Sequence, residues 1–273
     1  MTQGDERHAR LIEVHQAHGE ELGQSKTFTV ARCLQGEILA ELKPRSILFI
    51  GPGHGDEAQA VLAAAGIDPA RIKIIGCDLN SYRLARFKAR FPHAEIFCGA
   101  VLDPEFKIFL ERIGRVDLVQ MGFVLHDHTE AQKPLLLNAA WSFLNNDGHV
   151  MAADPTLPRY PNYLPRIPDA TAMAEVQDGL KNYFKTYIDE VRSWQIDPIR
   201  REELLESLQK GLQDALRHED GREAFDTLEM YCSRFKEAGF KDLVCREGYN
   251  TVIVVKGRRN SFSRKGPEDR IID

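Results

Sequence analysis

The chain has 273 residues, 43% hydrophobic and 28% charged, and its 36 basic against 41 acidic side chains leave a formal net charge of −5. With a sequence pI near 6.0 and a mean hydropathy of −0.36, a broadly basic surface that grips nucleic acid through counterion release is excluded. No apolar run approaches the ~20 residues of a membrane span. The polar stretch from Met1 to Arg10 is followed by no secretory apolar core, so the sequence predicts a cytoplasmic protein with neither nucleic-acid nor membrane partners. Five cysteines, Cys33, Cys77, Cys98, Cys232 and Cys245, form no C-x-x-C pair. That is the pattern of reduced, buried thiols rather than of a disulfide frame or zinc site. Nothing in the sequence calls for a homo-oligomer.

In chain order, Leu11–Glu21 and Val30–Leu42 read as helices. Strands are then predicted over Ser46–Ile50, Ile72–Cys77, Glu95–Cys98, Val116–Met121 and His149–Ala153, alternating with helices over Asp56–Ala65, Ser81–Arg90, Pro104–Ile113 and Ala131–Leu144. Short Val/Ile/Leu runs at this spacing indicate a parallel sheet, doubly wound with helices on both faces. After the fifth strand comes a run with Pro155, Pro158, Pro161, Pro165 and Pro168, followed by an apolar stripe at helical spacing from Met173 to Trp194 and a second from Leu204 to Leu216. An insertion of this length with its own amphipathic helices predicts a packed lid rather than a linker. A helix over Leu228–Ala238, stopped by Gly239, leads into strands Lys241–Arg246 and Thr251–Lys256. Their connection is too short for a parallel crossover, so these two pair antiparallel. The chain thus divides into N-terminal helices (1–45), a core (46–155 and 226–257), a helical insertion (156–225) and a polar, frayed tail (258–273).

The sharpest signal is Ile47-Leu48-Phe49-Ile50-Gly51-Pro52-Gly53-His54-Gly55-Asp56, a buried strand running through three alternate glycines into a helix. Glycines belong where the backbone turns tightly or a ligand approaches it closely. A dinucleotide site would carry G-x-G-x-x-G, but Asp56 stands at its third glycine position. A carboxylate at a helix N-terminus repels a pyrophosphate and suits a ligand bearing an ammonium group. A nicotinamide-dependent dehydrogenase is disfavoured on this ground. Asp78, ending the second strand, is placed to accept both hydroxyls of a ribose.

This constellation resembles the class I S-adenosylmethionine-dependent methyltransferases of the small-molecule type, over most of the chain from Val30 to Lys256. The glycine loop looks like the family's first motif and Asp78 like its ribose-binding acid. Val116 to Asp127 is similar to its fourth motif, Phe143 to Val150 to the entry of its fifth strand, and Phe235 to Phe240 to its closing helix. The resemblance implies a Rossmann-like α/β fold, a mostly parallel seven-stranded sheet with an antiparallel last strand. It also implies S-adenosyl-L-methionine as cofactor, held by Gly51, Gly53, Gly55, Asp56, Asp78, Leu79, Ala100, Val101, Gly122 and Phe123. One departure is Ala100, which stands where the family often has an acid for the adenine amine. Ala100 is kept as a backbone contact, and the later Asp103 is expected to cap the next helix.

Methyl transfer from a sulfonium needs alignment and exclusion of water more than electrostatic stabilisation, and a general base only where the nucleophile carries a proton. His126, His128 and Asp154 are the catalytic candidates, at the carboxyl ends of the fourth and fifth strands. The run resembles the L-H-D segment of several O-methyltransferases. Against this, Asp127 or Thr129 could simply cap the next helix, and Asp154 could be a turn residue before Pro155. His54 reads as a loop spacer, and His8, His15 and His18 as a surface face rather than a metal site. Arg159, Tyr160, Tyr163 and Arg166 fall in the lid, and Phe28 is placed to close the other side. Gln120-Met121-Gly122-Phe123 replaces the N/D/S-P-P-aromatic segment of nucleic-acid amino methylases, and no cysteine follows a proline. The reading is methylation of an oxygen or nitrogen of a small molecule. The alternative is a protein that binds the same cofactor without methylating, such as a regulatory subunit, lyase or cyclase.

Overall fold

The computed structural model describes residues 25–129, 131–156, 170–217, 226, 228–249 and 252–259. Within them the elements run α1 (Lys26–Leu42), β1 (Ser46–Ile50), α2 (Asp56–Ala64), β2 (Lys73–Asp78), α3 (Ser81–Arg90), β3 (Glu95–Cys98), α4 (Pro104–Ile113), β4 (Val116–Gly122), α5 (Gln132–Phe143), β5 (Leu144–Pro155), α6 (Ala170–Ser193), α7 (Pro198–Arg217), α8 (Leu228–Glu237), β6 (Phe240–Glu247) and β7 (Val252–Arg259), with single 3-10 turns at Pro69–Arg71 and Leu125–Asp127. One seven-stranded sheet has the order β3-β2-β1-β4-β5-β7-β6. β1 through β5 pair parallel, while β7 lies antiparallel between β5 and β6. The predicted doubly wound sheet with a reversed last strand is what forms.

Alternate residues of the strands serve two cores, one on each face. Leu48, Ile50, Val119, Met121 and Val150 face α4, α5 and α8 through Phe106, Leu136 and Phe235. Ile47, Phe49, Leu118 and Met151 face α1, α2 and α3 through Ile38, Leu62 and Phe87. Burial on both faces is why these strands read as unbroken apolar runs. α1 and α2 approach so closely at Gly36 that a Cβ there would lie 2.5 Å from Cβ of Ala64. α6 and α7 form a small core of their own from Ile188, Val191, Leu204 and Leu205.

Several boundaries differ from expectation. α1 starts a turn early because the Ser25 hydroxyl caps it, accepting from the Phe28 amide. β5 begins at Leu144 rather than His149, its first residues bent away where the pairing with β4 slips between Val116 and Leu118. The polar tail predicted from residue 258 is a correction: Arg258 and Arg259 complete β7. Arg259 is buried, its guanidinium 4.1 Å above the Trp141 ring and its Nη1 donating to the Leu144 carbonyl. A flat cation that covers an aromatic face and satisfies a buried carbonyl behaves as core here. The helix predicted over Leu11–Glu21, the three histidines within 8–18 and the proline-rich run over 157–169 lie outside the described residues.

Lys133 and Asp226 form a buried ion pair at 3.1 Å, and Arg234 of α8 closes on the same carboxylate at 2.9–3.1 Å. This anchors the chain returning from the helical insertion onto α5 and α8. A buried pair is costly to break from one side, because the remaining charge keeps its desolvation penalty. Asp226→Ala is therefore expected to lower the unfolding free energy by about 3–5 kcal/mol. Urea denaturation showing a loss below ~1 kcal/mol would remove the anchor from this account.

Candidate active site

The site forms where β1, β2, β4 and β5 end on one edge of the sheet. Leaving β1, Gly51 turns at φ +61° and Gly53 at φ +55°. The Gly51 amide donates to the Cys77 carbonyl at 2.8 Å, tying the loop to the end of β2. At Gly51 a Cβ would meet Val124, whereas at Gly53 nothing lies within 4 Å. Gly53 is thus bare backbone facing open space, and its amide donates to Asp78 Oδ2 at 3.1 Å. Asp78 Oδ1 accepts from the Asn80 amide at 2.9 Å, holding the carboxylate at the crevice. Leu79 is 76% exposed beside it. Gly55 (φ +88°) lets the loop press onto Phe87 and Phe91 instead of a ligand.

Four residues sit otherwise than their sequence roles require. Asp56 is turned away from the loop, its Oδ1 held by the Arg90 guanidinium of α3. The Ala100 amide donates to Asp103 Oδ2 at 2.9 Å and its carbonyl accepts from the Asp103 amide at 3.1 Å. The tight turn uses both backbone groups of Ala100 internally, so it offers no free backbone contact. Asp103 serves this turn and makes no side-chain cap to α4. His128 Nδ1 lies 2.8 Å from the Val124 carbonyl, which folds its ring back onto its own turn. Val101 packs against the core beneath the crevice.

In place of Asp56, the next residue faces the site. Glu57 is half-buried, its Oε1 accepting from Gln35 Nε2 at 2.9 Å, and Gln35 Oε1 accepts in turn from Gln120 Nε2 at 2.7 Å. A Cβ at Gly122 would lie 2.0 Å from Glu57 Oε1, so the carboxylate occupies the space that glycine leaves. Burial raises the Glu57 pKa, with Asp154 adding to the rise and Gln35 and Arg32 opposing it. Following Gly122, Phe123 is held in the left-handed region (φ +56°), its amide donating to the Ala153 carbonyl. A bulky residue in that region is strained and persists only where its surroundings enforce it. Here the Phe28 ring packs 4.2 Å from it, and Tyr187 of α6 packs against Phe28 at 6.3 Å.

At the far side, Asp154 is 1% exposed and bridges two partners. Its Oδ1 lies 2.8 Å from His126 Nδ1, and its Oδ2 accepts from the Tyr231 hydroxyl at 2.6 Å. Burial and the neighbouring Asp154 charge push the Tyr231 pKa well up, so the phenol stays a donor. With Nδ1 on the Asp154 carboxylate, Nε2 is the ring nitrogen left for a second partner. Asp127, with 62% of its side chain exposed, stands 3.2 Å from that nitrogen. The chain therefore brings His126 and Asp154 together and leaves His128 apart. Glu57 and Tyr231 were missed. Glu57 had only its place after the glycine loop as a signal, and Tyr231 lay unremarked within the helix predicted over Leu228–Ala238.

No family profile matches the chain, and no curated protein matches it in sequence. Solved structures do. The chain is similar to an O-methyltransferase family protein from Burkholderia thailandensis, with a TM-score of 0.52 at 13% identity over 84% of this chain. The chain shares the Rossmann-like fold of that protein. A Nostoc punctiforme protein assigned as an O-methyltransferase gives 0.53 at 17% identity over 83% of the chain, and the carbon methyltransferase CurJ 0.50 at 15% over 79%. The chain spans 55% of the length of each of the first two and 48% of the third. Among the described residues no helix is long and apolar enough to cross a membrane, and no three His, Cys, Asp or Glu side chains cluster to hold a metal ion.

The desolvation of the Glu57 carboxyl gives a pH signature. Its carboxyl keeps a proton to higher pH in the folded chain than in the unfolded one. Stability therefore falls as pH rises from the ordinary glutamate value of 4.5 to the raised one, and stays lowered above it. Glu57→Gln keeps an acceptor for Gln35 and cannot ionise. Its stability relative to the native chain is expected to grow across that window and then level off, measured by urea denaturation at successive pH values. A difference that does not change with pH refutes this.

Proposed function

We propose that the chain binds S-adenosyl-L-methionine across the ends of β1, β2 and β4 and methylates an oxygen or nitrogen of a small molecule held against His126. The observation that carries this reading is the meeting of bare backbone and carboxylate at Gly53, whose amide lies 3.1 Å from Asp78. Asp78 is placed to accept the ribose hydroxyls, and the exposed Leu79 offers an apolar partner to the base. The open backbone at Gly53 receives the amino-acid arm without a side chain in the way. Glu57, at Gly122, takes the role of ammonium partner that the sequence assigned to Asp56. Bound there, the cofactor supplies an electrophilic methyl group.

The chain's own residues then have two tasks. Phe123, Phe28 and Tyr187 wall the methyl end with aromatic surface, which excludes water and favours a substrate with an apolar body. The insertion over 156–225 acts as the lid that completes this wall, through α6. Alignment of this kind is worth roughly 7–11 kcal/mol. His126 takes the proton that the nucleophile loses, at Nε2, once the exposed Asp127 side chain gives way to substrate. Asp154, steadied by Tyr231, keeps the ring oriented. Similarity of fold to the Burkholderia and Nostoc proteins and to CurJ, all described as methyltransferases, supports the reading.

Calorimetric titration with S-adenosylmethionine, S-adenosylhomocysteine and NAD is the direct test. The first two are expected to bind and NAD not, and Asp78→Ala is expected to weaken cofactor binding by at least ~1 kcal/mol, about fivefold. Binding of NAD alone would sink the proposal. Once a substrate is found with a labelled-methyl screen, His126→Ala should lower kcat by about 10²- to 10⁴-fold with cofactor affinity unchanged. Turnover at the native rate would end its candidacy as the base.

A further inference from the structure

The sequence presents five scattered thiols, yet the fold brings two of them together. Cys232, on α8, and Cys245, on β6, have their sulfurs 2.9 Å apart. The strand and helix are joined by the turn at Gly239 (φ +91°), which folds β6 back along α8. Cys245 is exposed and Cys232 partly so. Cys33 and Cys98 are exposed, and Cys77 is buried.

We propose that Cys232 and Cys245 are a redox modification site, forming an intramolecular disulfide by exchange with a small-molecule disulfide. Charge around the pair sets the order of events. The hydrogen bond from Cys232 brings the Cys245 pKa down to about 7, with the Lys236 ammonium helping, against burial and Glu247. Cys232, as the donor, is held up by that same contact, by burial and by Glu229. The thiolate is the attacking form. Cys245 attacks one sulfur of the incoming disulfide, whose S–S bond breaks and releases one thiolate, leaving a mixed disulfide on Cys245. Cys232 then loses its proton and attacks the Cys245 sulfur, and the second small-molecule thiol departs. Two protein thiols are oxidised and one external disulfide is reduced to two thiols, with no other electron acceptor. The bridge ties α8 to β6 one residue from Tyr231, whose hydroxyl holds Asp154. The inference does not depend on the proposed methyl transfer, since its readout is the state of the thiols.

The test equilibrates the native chain with glutathione disulfide and glutathione at graded ratios. The products are trapped by alkylation and each cysteine is read by peptide mass spectrometry. Cys232 and Cys245 should lose their free thiols together, as one cross-linked peptide pair lacking two hydrogens, at ratios that leave Cys33 and Cys98 mostly free. The reductant dithiothreitol should restore both. In Cys232→Ser the expected product is the mixed glutathione adduct on Cys245, which marks it as the attacking thiol. Cys245→Ser should leave Cys232 largely unmodified. Separate glutathione adducts on Cys232 and Cys245 of the native chain, or their oxidation no earlier than Cys33 and Cys98, would overturn the proposal.

Discussion

Between β1 and β4 the sheet reverses the direction in which its strands are laid down, and everything at the site follows from that reversal. Chain leaving β1 passes through α2 toward β2, while β4 lies on the other side of β1 and is followed by β5. The helices of these two halves end on opposite faces, α1 to α3 over one core and α4, α5 and α8 over the other. Neither set crosses the strand ends, so a crevice is left there. The glycine loop, Asp78, Gly122, Phe123, His126 and Asp154 all leave strands at this edge. They are neighbours because of topology, although up to 103 residues separate them (51 to 154).

Three hydrogen-bonded carboxylates, two of them buried, then shape this edge of the fold. Asp154 has a phenol on one oxygen and an imidazole on the other, Glu57 an amide from Gln35, and Asp226 two cations. Each is kept inside by specific donors, as a desolvated acid must be. The three do different work. Asp226 fastens the returning chain, Asp154 orients a histidine that reaches the crevice, and Glu57 stands against a strand end that must be glycine to receive it.

Much of the fold was legible because its signals are local. A strand buried on both faces reads as a short apolar run, Gly239 ends α8, and a connection as short as that between β6 and β7 permits only antiparallel pairing. The glycine turn was legible for the same reason, since the positive φ of Gly51, Gly53 and Gly55 concerns those residues alone, whereas the contact of Gly53 with Asp78 spans 25 residues and is made by the pairing of β1 with β2. The misreadings concern side chains whose direction depends on distant partners. Asp56 and Glu57 are adjacent and chemically alike, and only the position of Arg90 on α3 and Gln35 on α1 decides which one faces the crevice. Ala100 looked available until Asp103 closed the turn on it. Arg258 and Arg259 read as tail because charge suggests solvent, yet Arg259 is covered on the Trp141 face.

By itself, then, the sequence determined the order and kind of the strands and helices, the reversed final strand and the glycine turn. Each follows from periodicity, backbone freedom or chain length over a few residues. The pairing of His126 with Asp154, the phenol behind them, the choice of Glu57 over Asp56 and the meeting of Cys232 with Cys245 were decided only by tertiary structure. They are contacts between elements whose relative rotation is set by two packed cores, and no short stretch of chain encodes that rotation.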